Sequence, residues 1–150
     1  MSKLLANLHD ENGKVNIPNF YNGVETVSNE LKNEWEKLTF SEEKFLNKIG
    51  LSKSSGEKEY SLLQTLWGRP TCEINGMWGG YIEEGFKTVI PSKAFAKISF
   101  RLVGDQDPED IRLNFRKKLR NEIPEDFEIK FSGHKGSKAT QFPLNDQVIN

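Results

Sequence analysis

The sequence predicts an α+β fold of the ferredoxin-like, split βαβ kind, with an antiparallel sheet and helices on one of its faces. Three observations predict it. Residues 94–103 alternate with period two: Ala94, Ala96, Ile98, Phe100 and Leu102 fall on one side, Lys97, Ser99 and Arg101 on the other, the signature of a half-buried strand. Asp107-Pro108-Glu109-Asp110 opens a helix, with Asp as N-cap, Pro at the first helical position and acids in the first turn. Phe127, Ile129 and Phe131 then alternate as a last strand. Helix, strand, strand, helix, strand is most of a split βαβ sandwich. No period-two segment precedes the N-terminal helix, so the first strand of that arrangement is missing.

Each element has its own local cause. Leu4, Leu5 and Leu8 close a short helix, which Asp10-Glu11-Asn12-Gly13 ends as turn chemistry. Val24, Val27, Leu31, Trp35 and Leu38 recur at three- and four-residue steps, one face of an amphipathic helix. Ser41 caps a second helix carrying Phe45, Leu46 and Ile49, and Gly50 ends it,. Residues 51–58, rich in Ser, Gly and Lys, read as an exposed loop. Tyr60 to Trp67 forms another helical piece, stopped by Gly68 and Pro70. Thr71 to Ile74 is a short strand, with Cys72 and Ile74 toward the buried side. Gly76, Gly79 and Gly80 punctuate the next stretch, and Thr88-Val89-Ile90 is β-branched up to Pro91. The helix after Asp107 buries Ile111, Phe115 and Leu119, sets Arg116, Lys117, Lys118 and Arg120 at its C-terminal end, and stops at Pro124,. These elements make one domain over 1–150: a helical part over about 1–68, a sheet-and-helix part over about 69–134, and a tail over 135–150.

Composition narrows the chemistry. With 21 basic and 22 acidic residues among 150, the chain has no electrostatic reason to bind nucleic acid or an anionic membrane. No apolar run reaches the roughly 18 residues of a membrane span, and the start MSKLLANLHD is too short and polar for a signal peptide,. A lone cysteine, Cys72, rules out an internal disulfide framework and points to the reducing cytoplasm,. His9, Cys72 and His134 lie far apart and at no metal-ligand spacing, so a self-contained metal site is not expected.

The run NGMWGGYIEEGFKTVIPSKAFAKISFRLVGDQDPEDI resembles the lid, or dimerisation, domain of the zinc metallopeptidase family of carnosinases, aminoacylases, carboxypeptidases and succinyl-diaminopimelate desuccinylases. It is most similar to the dipeptidase branch, where KTVIP, SFRLV and a following DP helix start occur together. LHDENGKVNIPNFY and GHKGSKA resemble further segments of that branch, so the likeness runs over about residues 4–146. The resemblance implies a fragment that begins inside the lid's first helix. The family's HxD and EE motifs, its terminal zinc-ligand histidine and the HSG histidine of the lid's first strand are all absent. It further implies a homodimer that caps a peptide or N-acyl amino acid substrate, inactive alone, with zinc and the catalytic glutamate held elsewhere in the parent enzyme. No catalytic or metal-binding residue is assigned to this chain.

Two residues carry over. Thr88 of KTVIP matches a threonine that contacts substrate from the partner subunit, and Arg101 of SFRL matches an arginine that binds substrate in its own subunit. A guanidinium suits a substrate carboxylate because its rigid fork of donors meets both oxygens. By residue type alone, Arg101 is a solvated cation on a polar strand face and Thr88 a β-former. His134 reads as a surface residue beside a glycine turn. Trp35, Trp67 and Trp78 read as core or interface anchors, and Gly79-Gly80 as backbone geometry. Two other classes stay open: a free-standing α+β dimerising or regulatory module, and an RNA-binding sheet. The second is opposed by the lack of exposed aromatic pairs interleaved with basic residues.

Overall fold

The structure, a computed structural model, describes residues 1–140. The last ten residues of the expected tail lie outside them. Seven elements appear in order: α1 (Ser2–Ala6), α2 (Asn29–Glu36), α3 (Glu42–Lys48), α4 (Leu62–Gly68), β1 (Thr71–Gly79), β2 (Ala94–Arg101) and α5 (Pro108–Glu122). The class is α+β, as expected, and β1 pairs antiparallel with β2.

The core draws on distant parts of the chain. Leu5, Leu8, Val15, Ile17 and Phe20 from the N-terminal segment meet Cys72 of β1 and Ile111 and Leu119 of α5. The segment before residue 24 is thus no mere connector. It folds over the inner face of the sheet, where Phe20 lies 6.0 Å from Phe100 and Phe100 lies 5.3 Å from Phe115 of α5. The turn at 10–14 is built by Asp10, whose Oδ1 accepts from the amides of Asn12 and Lys14 at 2.8 and 2.9 Å. Gln106 is fully buried. Its Nε2 donates to the Phe20 carbonyl at 2.5 Å and its Oε1 accepts from the Val103 amide at 2.9 Å, which joins the N-terminal segment to the end of the sheet.

Helix starts fall where the caps are. Asp107 Oδ1 accepts from the amides of Glu109 and Asp110 at 2.8 and 3.3 Å, and Pro108 takes the first helical position, where its missing N–H costs nothing. Ser61 and Gln64 form a reciprocal capping box on α4,. An Asp107→Ala variant should lose about 1 kcal/mol, which lowers the melting temperature by about 2–4 °C for a domain this size. Thermal denaturation followed by circular dichroism checks this. An unchanged midpoint would show the cap to be redundant.

Four expectations need correction. The helix expected from Val24 starts only at Asn29, capped by Ser28, because Val24, Thr26 and Val27 are β-branched and resist helix. β1 does not stop at Ile74: a bulge lies between Ile74 and Gly76, and pairing resumes to Gly79. Thr88 to Ile90 is not a strand but part of an exposed arm, since β-branched residues without a ladder partner have no sheet to join. Residues 127–131 form no strand and pair with none among the described residues. Side chains hold them instead: Ile129 and Phe131 pack on the core, and the guanidinia of Arg116 and Arg120 lie 5.4 and 5.2 Å from the Phe131 ring centroid.

Residues 51–58 are exposed as expected except at one point. Glu57 is buried and pairs with the equally buried Arg69: Arg69 Nε and NH2 donate to the two carboxylate oxygens at 2.5 and 3.0 Å. The rings of Tyr60 and Tyr21 flank the guanidinium, with centroids 4.2 and 5.2 Å away. Burial alone would make the Arg69 cation less stable, but Glu57 more than compensates and holds it firmly protonated,. Burial, reinforced by Glu57, pushes the Tyr21 phenol up, so it stays neutral. Its oxygen accepts from the Val15 amide at 2.8 Å.

Candidate functional site

The polar face of the sheet follows from strand alternation plus the bulge. On β2, Phe95, Lys97, Ser99 and Arg101 share one face, opposite the inward Ile98 and Phe100,. On β1, the register sets Thr71 across from Arg101 and Glu73 across from Ser99. A regular strand would carry Gly76 and Trp78 to the inner face with Cys72 and Ile74. The extra residue at Asn75 reverses the phase, so Gly76 faces Lys97 and Trp78 faces Phe95. Trp78 therefore stacks on Phe95 at 5.2 Å with the rings 10° apart, on the same face as Arg101. Lys97 Nζ sits 5.7 Å from the Trp78 centroid, within cation–π range.

Asn75 follows Thr71 and Glu73 onto this face by alternation, and its Nδ2 donates to Ser99 Oγ at 2.8 Å. Arg101 closes the row. It is exposed, and among the described residues no ion pair or hydrogen bond engages its guanidinium. A guanidinium can pair with an anion, and the Glu73 carboxylate shares this face, across from Ser99.

Thr88 lies elsewhere. Between β1 and β2 the chain runs out as an arm whose apolar residues face solvent, Ile82 at 79%, Ile90 at 92% and Phe86 fully exposed. Trp78, Tyr81, Ile82, Val89, Ile90, Pro91 and Phe95 contribute to a cleft of about 340 Å³ at its base. The arm joins the sheet at Gly79 and Ala94. Arg101 stands at the far end of β2, about 23 Å along the strand from Ala94 at about 3.3 Å per residue. Thr88 lies on the arm, which leaves the sheet at the end of β2 opposite to Arg101. An exposed apolar arm of this kind marks a surface that docks on something else.

The remaining candidates supply no reactive centre. Burial, with the Glu73 charge beside it, pushes the Cys72 thiol up to about 12, so it is a packed thiol and not a nucleophile at neutral pH. His134 is exposed, and His9 is half-buried in the turn that bridges to Val15. Among the described residues no three His, Cys, Asp or Glu side chains come together as a metal site. No helix among them is long and apolar enough to cross a membrane.

Sequence reasoning missed Asn75 and the outward turn of Trp78. The signal was present as Asn75-Gly76, since glycine inside a strand pattern marks a bulge.

Comparison with known proteins agrees with this geometry. Residues 1–126 match the family described as the peptidase dimerisation domain of the M20 peptidases. The Cys-Gly metallodipeptidase DUG1 of Saccharomyces cerevisiae is 32% identical over 111 residues, which are 74% of this chain and 23% of that protein. The Beta-Ala-His dipeptidase of Homo sapiens is 32% identical over 100 residues, 67% of this chain and 20% of that protein. Among solved structures, the M20 family metallo-carboxypeptidase Sso-CP2 from Sulfolobus solfataricus aligns with a TM-score of 0.69 at 31% identity, covering 80% of this chain and 31% of that one. Human carnosine dipeptidase 1 aligns with a TM-score of 0.69 at 28% identity, covering 79% and 25%. The chain spans about a fifth to a third of the relatives it matches. With its arm, its two-stranded sheet and its match over residues 1–126, the chain belongs to the peptidase dimerisation domain family of the M20 metallopeptidases.

Proposed function

We propose that this domain is the dimerising and substrate-capping part of a zinc-dependent hydrolase of dipeptides or N-acyl amino acids, working as a cytoplasmic homodimer and inactive by itself. The match of residues 1–126 to a peptidase dimerisation domain carries the reading. In it, Arg101 pairs with the ligand's carboxylate in its own subunit, and Thr88, on the arm, reaches the ligand bound by the partner subunit. The roughly 23 Å between Arg101 and the base of the arm supports that division of labour. The metal, whose chemistry is to activate a water for attack on the amide, is held by residues of another segment of the polypeptide. This domain contributes orientation and exclusion of water. The family match does not favour the free-standing module.

A chimaera tests the reading. Residues 1–134 exchanged into the equivalent place in the yeast Cys-Gly metallodipeptidase should give a dimer in sedimentation velocity that still hydrolyses its dipeptide. A folded, metal-loaded chimaera that sediments as a monomer would remove the proposal.

A further inference from the structure

Resting on the reading of Arg101 as the carboxylate anchor, we infer that Asn75 and Ser99 form a specificity-determining pair that reads the amide group next to that carboxylate. The chemistry of the pair carries the inference. Asn75 Nδ2 spends one hydrogen on Ser99 Oγ at 2.8 Å. That leaves the Ser99 hydroxyl proton and the second Asn75 amide hydrogen as donors and Asn75 Oδ1 as acceptor. A peptide group presents the complement, one C=O and one N–H. Both side chains are exposed on the face that carries Arg101, so the pair is open to a ligand.

Spacing fits as well. Ser99 and Arg101 are two residues apart on one strand, about 7 Å, close enough for one short ligand to meet both side chains. Asn75 is on this face by the two-residue alternation that also places Thr71 and Glu73 there, across from Arg101 and Ser99,. Glu73, directly across from Ser99, repels a second carboxylate from that end. The ligand class is therefore a carboxylate with a neutral amide beside it, as in a peptide or an N-acyl amino acid, in preference to a simple fatty acid.

The test uses the 150-residue chain and two probes of equal length, N-acetylglycine and pentanoate, which lacks the amide. Binding is followed by amide chemical shifts of residues 94–101 in nuclear magnetic resonance titrations. N-acetylglycine should bind about threefold to tenfold more tightly, the return on one or two exposed hydrogen bonds. In Asn75→Ala and Ser99→Ala that ratio should fall to about one with pentanoate binding unchanged, and Ser99→Thr, which keeps the hydroxyl, should restore it. A ratio retained in both alanine variants overturns the inference, as does the absence of any saturable shift for N-acetylglycine in the wild-type chain. Arg101→Ala should weaken both probes equally. If it weakens neither, the anchor role of Arg101 falls, while the ratio still decides the pair. Retained amide dispersion shows each variant to be folded.

Discussion

Replacing Arg69 with Met should cost the fold about 3–5 kcal/mol, because it strands the Glu57 carboxylate in the interior without its partner. Glu57 and Arg69 are 6% and 9% exposed, and their two hydrogen bonds use both carboxylate oxygens. The Tyr21 and Tyr60 rings beside the guanidinium exclude water further. A domain of this kind holds about 5–15 kcal/mol in all, so the single change takes up a large share of it. Urea denaturation followed by circular dichroism should show the midpoint fall sharply. The double variant Glu57→Leu with Arg69→Met should recover most of the loss, since removing both charges removes the stranded one. A single variant with an unchanged midpoint would mean that Glu57 swings out to water at no cost. The pair ties the loop at 51–58 to the residue following α4, from which β1 departs, so its loss should also loosen the start of the sheet.

In a polypeptide that joins this domain to the metal-binding segments of its relatives, Arg101→Ala should raise KM for a dipeptide about tenfold to a hundredfold, the loss of a charged hydrogen-bonding pair worth about 1.5–3 kcal/mol. Metal content should not change. Mixed dimers test the arrangement more sharply. A Thr88→Ala protomer paired with an Arg101→Ala protomer has one site with its own Arg101 and its partner's intact Thr88, and one site lacking both. Each heterodimer should carry half the wild-type activity, so about a quarter of it should return when two weak homodimers exchange subunits at equal amounts. No recovery would place both residues on the same site of one chain, against the roughly 23 Å that β2 alone puts between Arg101 and the base of the arm.

Much of the fold was legible in residue order because its causes are local. Ser41, Ser61 and Asp107 start helices by bonding amides two or three residues away, and the alternation over 94–101 needs only the two-residue period of a strand. Thr88-Val89-Ile90 and 127–131 misled for the opposite reason. Their strand propensity is real, but a strand exists only with a neighbour to bond, and no described strand pairs with either. Glu57 looked like one more solvated acid in a Ser/Gly/Lys loop, and only a partner twelve residues on buries it.

The candidate site divides along the same line. Arg101 was readable from its place on the polar side of an alternating strand and from the motif around it. The Asn75–Ser99 bond was not, because it needs β1 paired with β2, and the outward turn of Trp78 depends on one extra residue in β1, a matter of cross-strand register and not of propensity. What the sequence by itself determined is the family, the helix starts at Ser41 and Asp107, the main strand and its polar face, all set by interactions within a few residues or by recurring motifs. The tertiary structure alone decided which strands pair, that Trp78 faces outward, that Glu57 is buried, and that Thr88 sits on an exposed arm at the end of β2 away from Arg101. Each of those rests on contacts between segments far apart in the chain, and no local pattern encodes the free energy of such contacts.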